Sequence, residues 1–238
     1  MLLAELEIWH SRPIVPTRRV ALGRALLPVE PAPGFGGLLL GGVVAAHVDE
    51  LDPELLGELS GLLTDVGAGR RIPQPRLRHR FQVDRIGLAR SRHRLVGHGD
   101  AIEFELEDRG SAASQILGAV YAAGRVDRPH RPVVMEAVRR AVQWRGPLGP
   151  ALVAHLSGTN GAGAGSVGAF ANPERWALTV LGFEDDAAPG RDAVRRRFRA
   201  LVRAAHPDHG AAREGAAQRI LALSEARRIL LGEVSARG

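Results

Sequence analysis

The sequence predicts an α+β fold followed by an all-α segment. Strand-like and helix-like patterns are mixed over residues 1–156, whereas residues 173–238 show helical periodicity alone. Between them, residues 157–172 are mostly Gly, Ala, Ser, Thr and Asn, a composition typical of a flexible linker. We therefore expect a mixed domain over 1–156, a Gly/Ala-rich linker over 157–172 and a helical domain over 173–238.

Strands are predicted from alternating apolar residues. Near the start of the chain, Ala4, Leu6 and Ile8 alternate with Glu5 and Glu7, the period-two pattern of a half-buried strand. The other strands are expected at residues 18–27, 37–48, 79–88, 101–107 and 151–156. The stretch at 37–48 is almost entirely apolar, so we expect it to be a central strand.

Helices are predicted where apolar residues recur every three or four positions. Asp52 fits an N-cap with Pro53 at the first helical position, and this helix is expected to end near Gly67. Two further helices are expected at 111–124 and from Pro132 to about residue 145.

The composition limits the classes of site. All 32 basic residues are arginine, the net charge is +6, and there is no cysteine. Without thiols the chain has no disulfide, no thiolate metal site and no cysteine nucleophile, which suits a reducing cytoplasm. The longest apolar run, 36–46, is far shorter than the roughly 20 residues of a spanning helix. We expect a soluble, cytoplasmic protein with no membrane partner.

Motifs for catalysis or cofactor binding are not convincing. Gly163 to Gly168 matches G-x-G-x-x-G, but Asn172-Pro173 follows almost at once and no suitable acidic residue lies about 20 positions on, so the linker interpretation is favoured. The nine histidines show no metal-ligand spacing, and no nucleophile motif occurs. We expect no catalytic residue, no metal and no cofactor, hence a protein that is not an enzyme.

Residues 70–94 form a strongly basic segment, with nine arginines against the single acid Asp84. Such a segment can bind phosphates in a salt-sensitive way. The alternative is a solvated loop and strand edge whose charges discourage edge pairing. Few aromatic residues interleave with the arginines, so base stacking is not indicated. The solvated interpretation is favoured, and nucleic-acid binding is kept as the alternative.

The last 65 residues predict three helices, at 174–182, 191–205 and 213–231. The second helix has an apolar stripe, and a separate stripe holds Arg195, Arg199 and Arg203 with Arg196 beside it. Pro207 cannot continue this helix and forces a turn. The apolar positions predicted to form the core of the three helices are Trp176, Leu178, Leu181, Val194, Phe198, Leu201, Ile220, Leu223, Ala226 and Leu230.

This part of the chain resembles a J-domain, the module with which DnaJ-type co-chaperones engage DnaK-type chaperones of the 70-kDa heat-shock class. The resemblance runs through W-A-L-T-V-L-G (176–182), V-R-R-R-F-R-A-L-V-R-A-A-H-P-D (194–208) and I-L-A-L-S-E-A-R-R-I-L (220–230), about a quarter of the chain. An isolated His-Pro-Asp means little. Here it ends a basic helix, with Phe198 at the family's aromatic position eight residues before it.

The resemblance implies roles for two groups of residues. The basic helix of the family docks on an acidic groove of the chaperone, a role that falls here to Arg195, Arg196, Arg199 and Arg203. The turn His206, Pro207 and Asp208 is expected to reach the nucleotide-binding and linker region of the chaperone, with Asp208 as the critical carboxylate. In the family, the effect is to stimulate ATP hydrolysis and trap the client.

The chain also departs from the family pattern. Ala200 stands where a basic residue is common, and Arg227 stands where an aromatic residue often packs. There is no Gly/Phe-rich region, no C-x-x-C-x-G-x-G repeat, and the J-like segment comes last. This arrangement looks like the divergent class in which a J-domain is appended to an unrelated domain.

The sequence thus predicts a co-chaperone for a DnaK-type chaperone, with the N-terminal domain choosing an unknown protein client or a location. The alternative is a nucleic-acid-binding or scaffold protein in which the J-like helices are only a helical adaptor.

Overall fold

The computed structural model describes residues 1–12, 18–30, 32–98, 101–158, 173–184, 187–205 and 213–231, and has an α+β fold. The strands are β1 (Leu2–His10), β2 (Arg18–Leu26), β3 (His79–Phe81), β4 (Ala89–His98) and β5 (Ala101–Leu106). The helices are α1 (Gly34–His47), α2 (Leu56–Gly67), α3 (Ala112–Gly124), α4 (Arg131–Val142), α5 (Pro150–Ser157), α6 (Pro173–Leu181), α7 (Arg191–Ala205) and α8 (Arg213–Leu231). Short 3₁₀ turns occupy Val48–Glu50 and Pro53–Leu55.

The five strands form one mixed sheet in the order β3-β2-β1-β4-β5. The pairings β1–β2, β1–β4 and β4–β5 are antiparallel, and β2–β3 is parallel. In the central strand β1, Leu6 and Ile8 are fully buried, as the alternating pattern predicts. Helices α1 and α3 cover this face, and Gly118 of α3 lets that helix approach Ile8 closely.

The predicted strand at 37–48 is wrong, because residues 37–47 belong to helix α1 and Val48 begins the 3₁₀ turn after it. Nearly every residue of α1 is buried, so no polar stripe marks its helical period. A uniformly apolar run of this kind cannot be told from a buried strand by periodicity. Glycines bring the helix close to its neighbours: a Cβ at Gly42 would lie 2.3 Å from the Phe104 ring of β5, and one at Gly41 would lie 2.7 Å from Leu156 of α5.

Two other predicted strands also need correction. Residues 151–156 form most of helix α5, which has Pro150 in its first turn and is followed by Gly158 in the left-handed conformation (φ 77°). The expected strand at 79–88 is only β3, three residues long. A loop at 82–88 follows it, and the next strand, β4, begins at Ala89.

Several predicted boundaries are confirmed. The Asp52 side chain accepts a hydrogen bond from the Glu54 amide (3.1 Å), so it caps the turn that leads into α2. Ser111 caps α3 in the same way through the Ser114 amide (3.3 Å). Pro132 lies in the first turn of α4.

The last three helices also follow the predicted ranges closely. Ser157, the first residue of the predicted linker, ends α5, and residues 159–172 lie outside the described part of the chain. The G-x-G-x-x-G match at 163–168 is therefore also outside it. None of the described helices has both the length and the apolar character needed to cross a bilayer.

Candidate functional site

Helix α7 presents a stripe of exposed arginine side chains. This arginine stripe consists of Arg195, Arg196, Arg199 and Arg203. Within the described ranges, no carboxylate lies within 4.0 Å of any of these four guanidinium groups. The stripe is therefore a positive surface that the described residues do not neutralise.

The opposite face of α7 holds the helix in place. Val194 is fully buried, while Phe198 and Leu201 are half-buried against the core. Arg197 points away from the stripe and donates hydrogen bonds to the main-chain oxygens of Leu181 (2.9 Å) and Gly182 (3.4 Å). These oxygens end helix α6, where a cation is favourable because carbonyl groups are left without helical partners. Arg197 thus fixes α7 against α6.

Helix α8 runs antiparallel to α7. Arg191, the first residue of α7, donates to the main-chain oxygen of Leu231, the last residue of α8 (3.3 Å). Further along the pair, the Arg227 guanidinium of α8 lies 4.6 Å from the centre of the Phe198 ring. In this cation–π contact the guanidinium group covers the Phe198 ring, which lies between the two helices.

An open groove of about 550 Å³ lies beside this contact. Arg195, Arg196 and Arg199 line one side of it, and Phe198 and Arg227 also contribute. The groove combines the Phe198 ring with the guanidinium groups of four arginines, and among the described residues of its lining the single carboxylate is that of Asp192. It suits an acidic segment that also carries an apolar side chain.

Helices α6 and α8 contact the mixed domain, whereas the hydrogen bonds found for α7 side chains go to α6, α8 or α7 itself. Trp176 of α6 is fully buried, donates to the Glu30 main-chain oxygen (2.8 Å) and has its ring 4.6 Å from that of Phe35. Arg228 of α8 donates to the Leu2 main-chain oxygen (2.6 Å). Arg219 forms an ion pair with the Glu30 carboxylate.

The described structure accounts for most of the C-terminal residues singled out from the sequence. Trp176, Leu178, Leu181, Val194, Leu223 and Ala226 are buried, and Phe198, Leu201, Ile220 and Leu230 are half-buried against the core. Trp176 differs from expectation because it packs against the mixed domain as well. His206, Pro207 and Asp208 lie outside the described residues. They follow directly in sequence from Ala205, the end of α7.

The basic segment 70–94 is largely neutralised by the fold. Residues 1–69 are the acidic first part of the chain, with nine Asp and Glu against four arginines. Six of the nine arginines of segment 70–94 lie within 4.0 Å of a carboxylate of this part. The pairs are Arg70–Asp65 (3.3 Å), Arg76–Asp65 (3.4 Å), Arg78–Asp52 (3.2 Å), Arg90–Glu7 (3.1 Å), Arg92–Glu7 (3.6 Å) and Arg94–Glu5 (3.3 Å). Most arginines of this segment, predicted to be a solvated loop and strand edge with phosphate binding as the alternative, are thus engaged in ion pairs.

A buried histidine network was missed by the sequence reasoning. His10 Nε2 lies 2.9 Å from the Ser91 hydroxyl, Gln115 donates to that hydroxyl (3.0 Å), and His93 Nε2 lies 2.9 Å from Gln115 Oε1. Burial lowers the pKa of His93 to about 4, so the ring is neutral at pH 7. The available signal was the alternation along β4, which places His93 on the covered face between Arg92 and Arg94.

This network does not form a metal centre within the described residues, where no group of three or more ligating side chains is brought together. The ring of His47 lies edge-on to that of His93, with centroids 6.3 Å apart. Among the described residues, His47 Nε2 and His93 Nδ1 are buried without a hydrogen-bond partner. The histidines therefore make a neutral, closely packed polar patch inside the mixed domain.

Comparison with protein-family models, with curated proteins and with solved structures found no match.

Proposed function

We propose that this chain is a co-chaperone that recruits a DnaK-type chaperone and stimulates its ATPase through a C-terminal J-domain. In this proposal residues 173–238 are the J-domain, with α7 and α8 as its helical hairpin. Residues 157–172 are the flexible linker, and the mixed domain selects a client protein or a cellular location. The chain itself performs no catalysis and works in the cytoplasm.

The observation that supports this most is the exposed, unneutralised arginine stripe of α7. Arg203 is three residues before His206, so the stripe leads directly in sequence into His206-Pro207-Asp208. A positive rod of this kind attracts an acidic surface at long range and orients it before contact. Helices α6 and α8 make the contacts with the mixed domain, so the exposed face of α7 is accessible to a partner protein.

The roles of the two groups then follow from the resemblance. The arginine stripe guides the acidic groove of the chaperone onto α7. The turn at His206-Pro207-Asp208 is delivered to the nucleotide-binding and linker region, where Asp208 supplies the critical carboxylate.

Arg227 is compatible with this arrangement despite its departure from the family pattern. Its guanidinium stacks on Phe198, so it covers the ring as an aromatic residue would. It also adds positive charge at the groove beside Arg195 and Arg199.

The test is the steady-state rate of ATP hydrolysis by the DnaK-type chaperone of the same organism. We expect the wild-type chain to raise this rate, and His206→Gln and Asp208→Asn to abolish the increase while leaving the fold unchanged by circular dichroism. Equal stimulation by all three proteins would defeat the proposal, as would a wild-type chain that gives none.

A nucleic-acid-binding or scaffold role, with α7 and α8 only as an adaptor, is the second candidate. It has some support because Arg71, Arg80 and Arg85 of segment 70–94 have no carboxylate within 4.0 Å among the described residues. Three separate charges are few for a phosphate backbone, whose contacts weaken steeply with salt. DNA or RNA binding that persists at about 150 mM salt would favour this role, and its loss at lower salt would count against it.

A further inference from the structure

The loop at residues 82–88 lies across one end of the sheet. It connects β3, at the edge, to β4, the fourth strand in spatial order, so it must pass β2 and β1 near this end of the sheet. Two contacts confirm this path. Arg85 lies over the Trp9 ring of β1 (5.8 Å), and Arg19 of β2 donates to the Ile86 main-chain oxygen (3.5 Å).

This loop exposes two large aliphatic side chains. Val83 and Ile86 are each 80% exposed, more than any other large apolar side chain in the described part of the chain. Burial of such a side chain is favourable because it removes apolar surface from water. Two of them three residues apart are a small apolar surface that gains from being covered.

Hydrogen bonds hold the loop in one conformation. The Gln82 amide donates to the Val20 main-chain oxygen (2.9 Å), and the Gln82 side chain donates to the Asp84 main-chain oxygen (2.6 Å). The Ile86 amide donates to the Asp84 carboxylate (3.0 Å), and the Leu88 amide closes a turn on Arg85 (3.1 Å). The two aliphatic side chains are therefore presented by a fixed turn.

Three arginines lie at this loop. Arg85 belongs to it, Arg19 of β2 donates to the Ile86 main-chain oxygen (3.5 Å), and Arg80 of β3 lies two residues before Gln82. Arg19 and Arg80 are paired in the sheet register, which places their side chains on the same face. None of these three has a carboxylate within 4.0 Å among the described residues, in contrast to the six paired arginines of segment 70–94.

We propose that this end of the sheet binds the surface of an anionic lipid bilayer. Val83 and Ile86 enter the boundary between headgroups and acyl chains, and the three guanidinium groups bind lipid phosphates. A membrane surface binds both features at once, since anionic headgroups attract basic residues and the acyl-chain boundary accepts aliphatic side chains. A nucleic acid would use the arginines but has no place for two protruding aliphatic side chains, and among the described residues the Trp9 ring at this loop is covered by Arg85.

The proposal differs from the expectation of no membrane partner, which came from the lack of a spanning segment. Attachment to a bilayer surface needs no such segment. It is also independent of the co-chaperone proposal, because the loop and the arginine stripe belong to different parts of the chain. If both hold, the mixed domain places a chaperone-recruiting module at a membrane.

The experiment is co-sedimentation of the full chain with phosphatidylcholine vesicles and with vesicles that also contain phosphatidylglycerol. We expect binding only to the anionic vesicles. The double variant Val83→Ser/Ile86→Ser should bind about tenfold more weakly, because the aliphatic groups no longer enter the bilayer. Both side chains are exposed, so folding should be unaffected. The matched control is Val133→Ser, which removes a 45% exposed valine from α4 and should bind like the wild type.

Three results would overturn the proposal. One is a wild-type chain that stays in the supernatant with anionic vesicles. Another is equal binding by the wild type and the double variant. The third is binding to a DNA duplex or to polyglutamate that falls in the double variant while vesicle binding does not, which would assign the surface to a nucleic acid or to an acidic protein. ATPase stimulation measured without vesicles reports on the chaperone proposal separately.

Discussion

Glu5 and Glu7 are buried on the face of β1 that the alternating pattern assigns to solvent. Each is covered by guanidinium groups: Glu5 by Arg94 (3.3 Å), and Glu7 by Arg90 (3.1 Å) and Arg92 (3.6 Å). The pattern correctly predicted which face of β1 meets the apolar core. It could not predict the arginine cover, because that depends on pairing with β4, more than 80 residues further along the chain.

The lowered pKa of His93 allows a prediction of how the free energy of unfolding depends on pH. Burial lowers its pKa to about 4, with His47, His10 and Glu107 as its charged or titratable neighbours. In the unfolded chain the pKa of a histidine is about 6.5. The unfolded state therefore binds more protons between these two values. The contribution of the neutral His93 ring to the free energy of unfolding is fully present above about pH 6.5 and is lost as the pH falls toward 4.

We expect the free energy of unfolding of His93→Gln to fall about 2 kcal/mol less than that of the wild type between pH 7 and pH 5. Urea unfolding at both pH values measures this difference. Comparing the two proteins removes the contribution of the titratable groups that both of them contain. His155→Gln, which changes a histidine on α5 outside the network, is the control. The same pH dependence for wild type and His93→Gln would contradict the assignment.

At the scale of elements, local signals predicted capped and amphipathic helices well. Asp52, Ser111 and Pro132 marked three helix starts, and the apolar stripes of the C-terminal helices matched their observed ranges. The signals for α5 were also present, since Pro150 precedes it and Gly158 follows it. They were outweighed by the short apolar run 151–156, which fits a buried strand equally well.

Helix α1 could not be predicted from local pattern, because its environment is apolar on every side. The close packing of α1 is evident at its glycines, where a Cβ atom would lie too close to neighbouring atoms. A Cβ at Gly36 would lie 2.7–2.8 Å from the Leu27 main chain and Cβ, which have no room to move. On α2, a Cβ at Gly61 would meet nothing within 4 Å.

These two glycines give a matched pair of substitutions. Gly36→Ala should lower the free energy of unfolding by about 2 kcal/mol, since it forces the core apart. Gly61→Ala should raise it by up to about 1 kcal/mol, because alanine favours an exposed helix more than glycine does. Urea unfolding monitored by circular dichroism measures both. A Gly36→Ala protein as stable as the wild type would contradict the packing of α1.

At the scale of the whole molecule, the structure changes the interpretation of the basic segment 70–94, which the sequence predicts to be a solvated loop and strand edge. The acidic first part and the basic segment 70–94 lie side by side and form ion pairs. The arginines that lack a carboxylate within 4.0 Å among the described residues include two groups of interest, the arginine stripe of α7 and Arg19, Arg80 and Arg85 at loop 82–88. Only the first of these was identified from the sequence, since the second depends on how the loop crosses the sheet.

The two surfaces belong to different ends of the molecule. Arg228 of α8 contacts Leu2, at the start of β1, whereas Arg85 lies over Trp9, near its end. Seven residue steps of an extended strand separate Leu2 from Trp9, roughly 23 Å. A partner held at one end therefore leaves the other end accessible.

The most direct test of the central claim compares two triple variants in the chaperone ATPase assay. Arg195→Ala/Arg199→Ala/Arg203→Ala removes the stripe, and Arg70→Ala/Arg71→Ala/Arg145→Ala removes the same charge from the mixed domain. We predict that the control variant stimulates like the wild type. The stripe variant should need about tenfold more protein for half-maximal stimulation, since three exposed charge pairs contribute about 0.5 kcal/mol each. Equal potency of the stripe variant and the wild type would contradict the claim that α7 docks the chaperone.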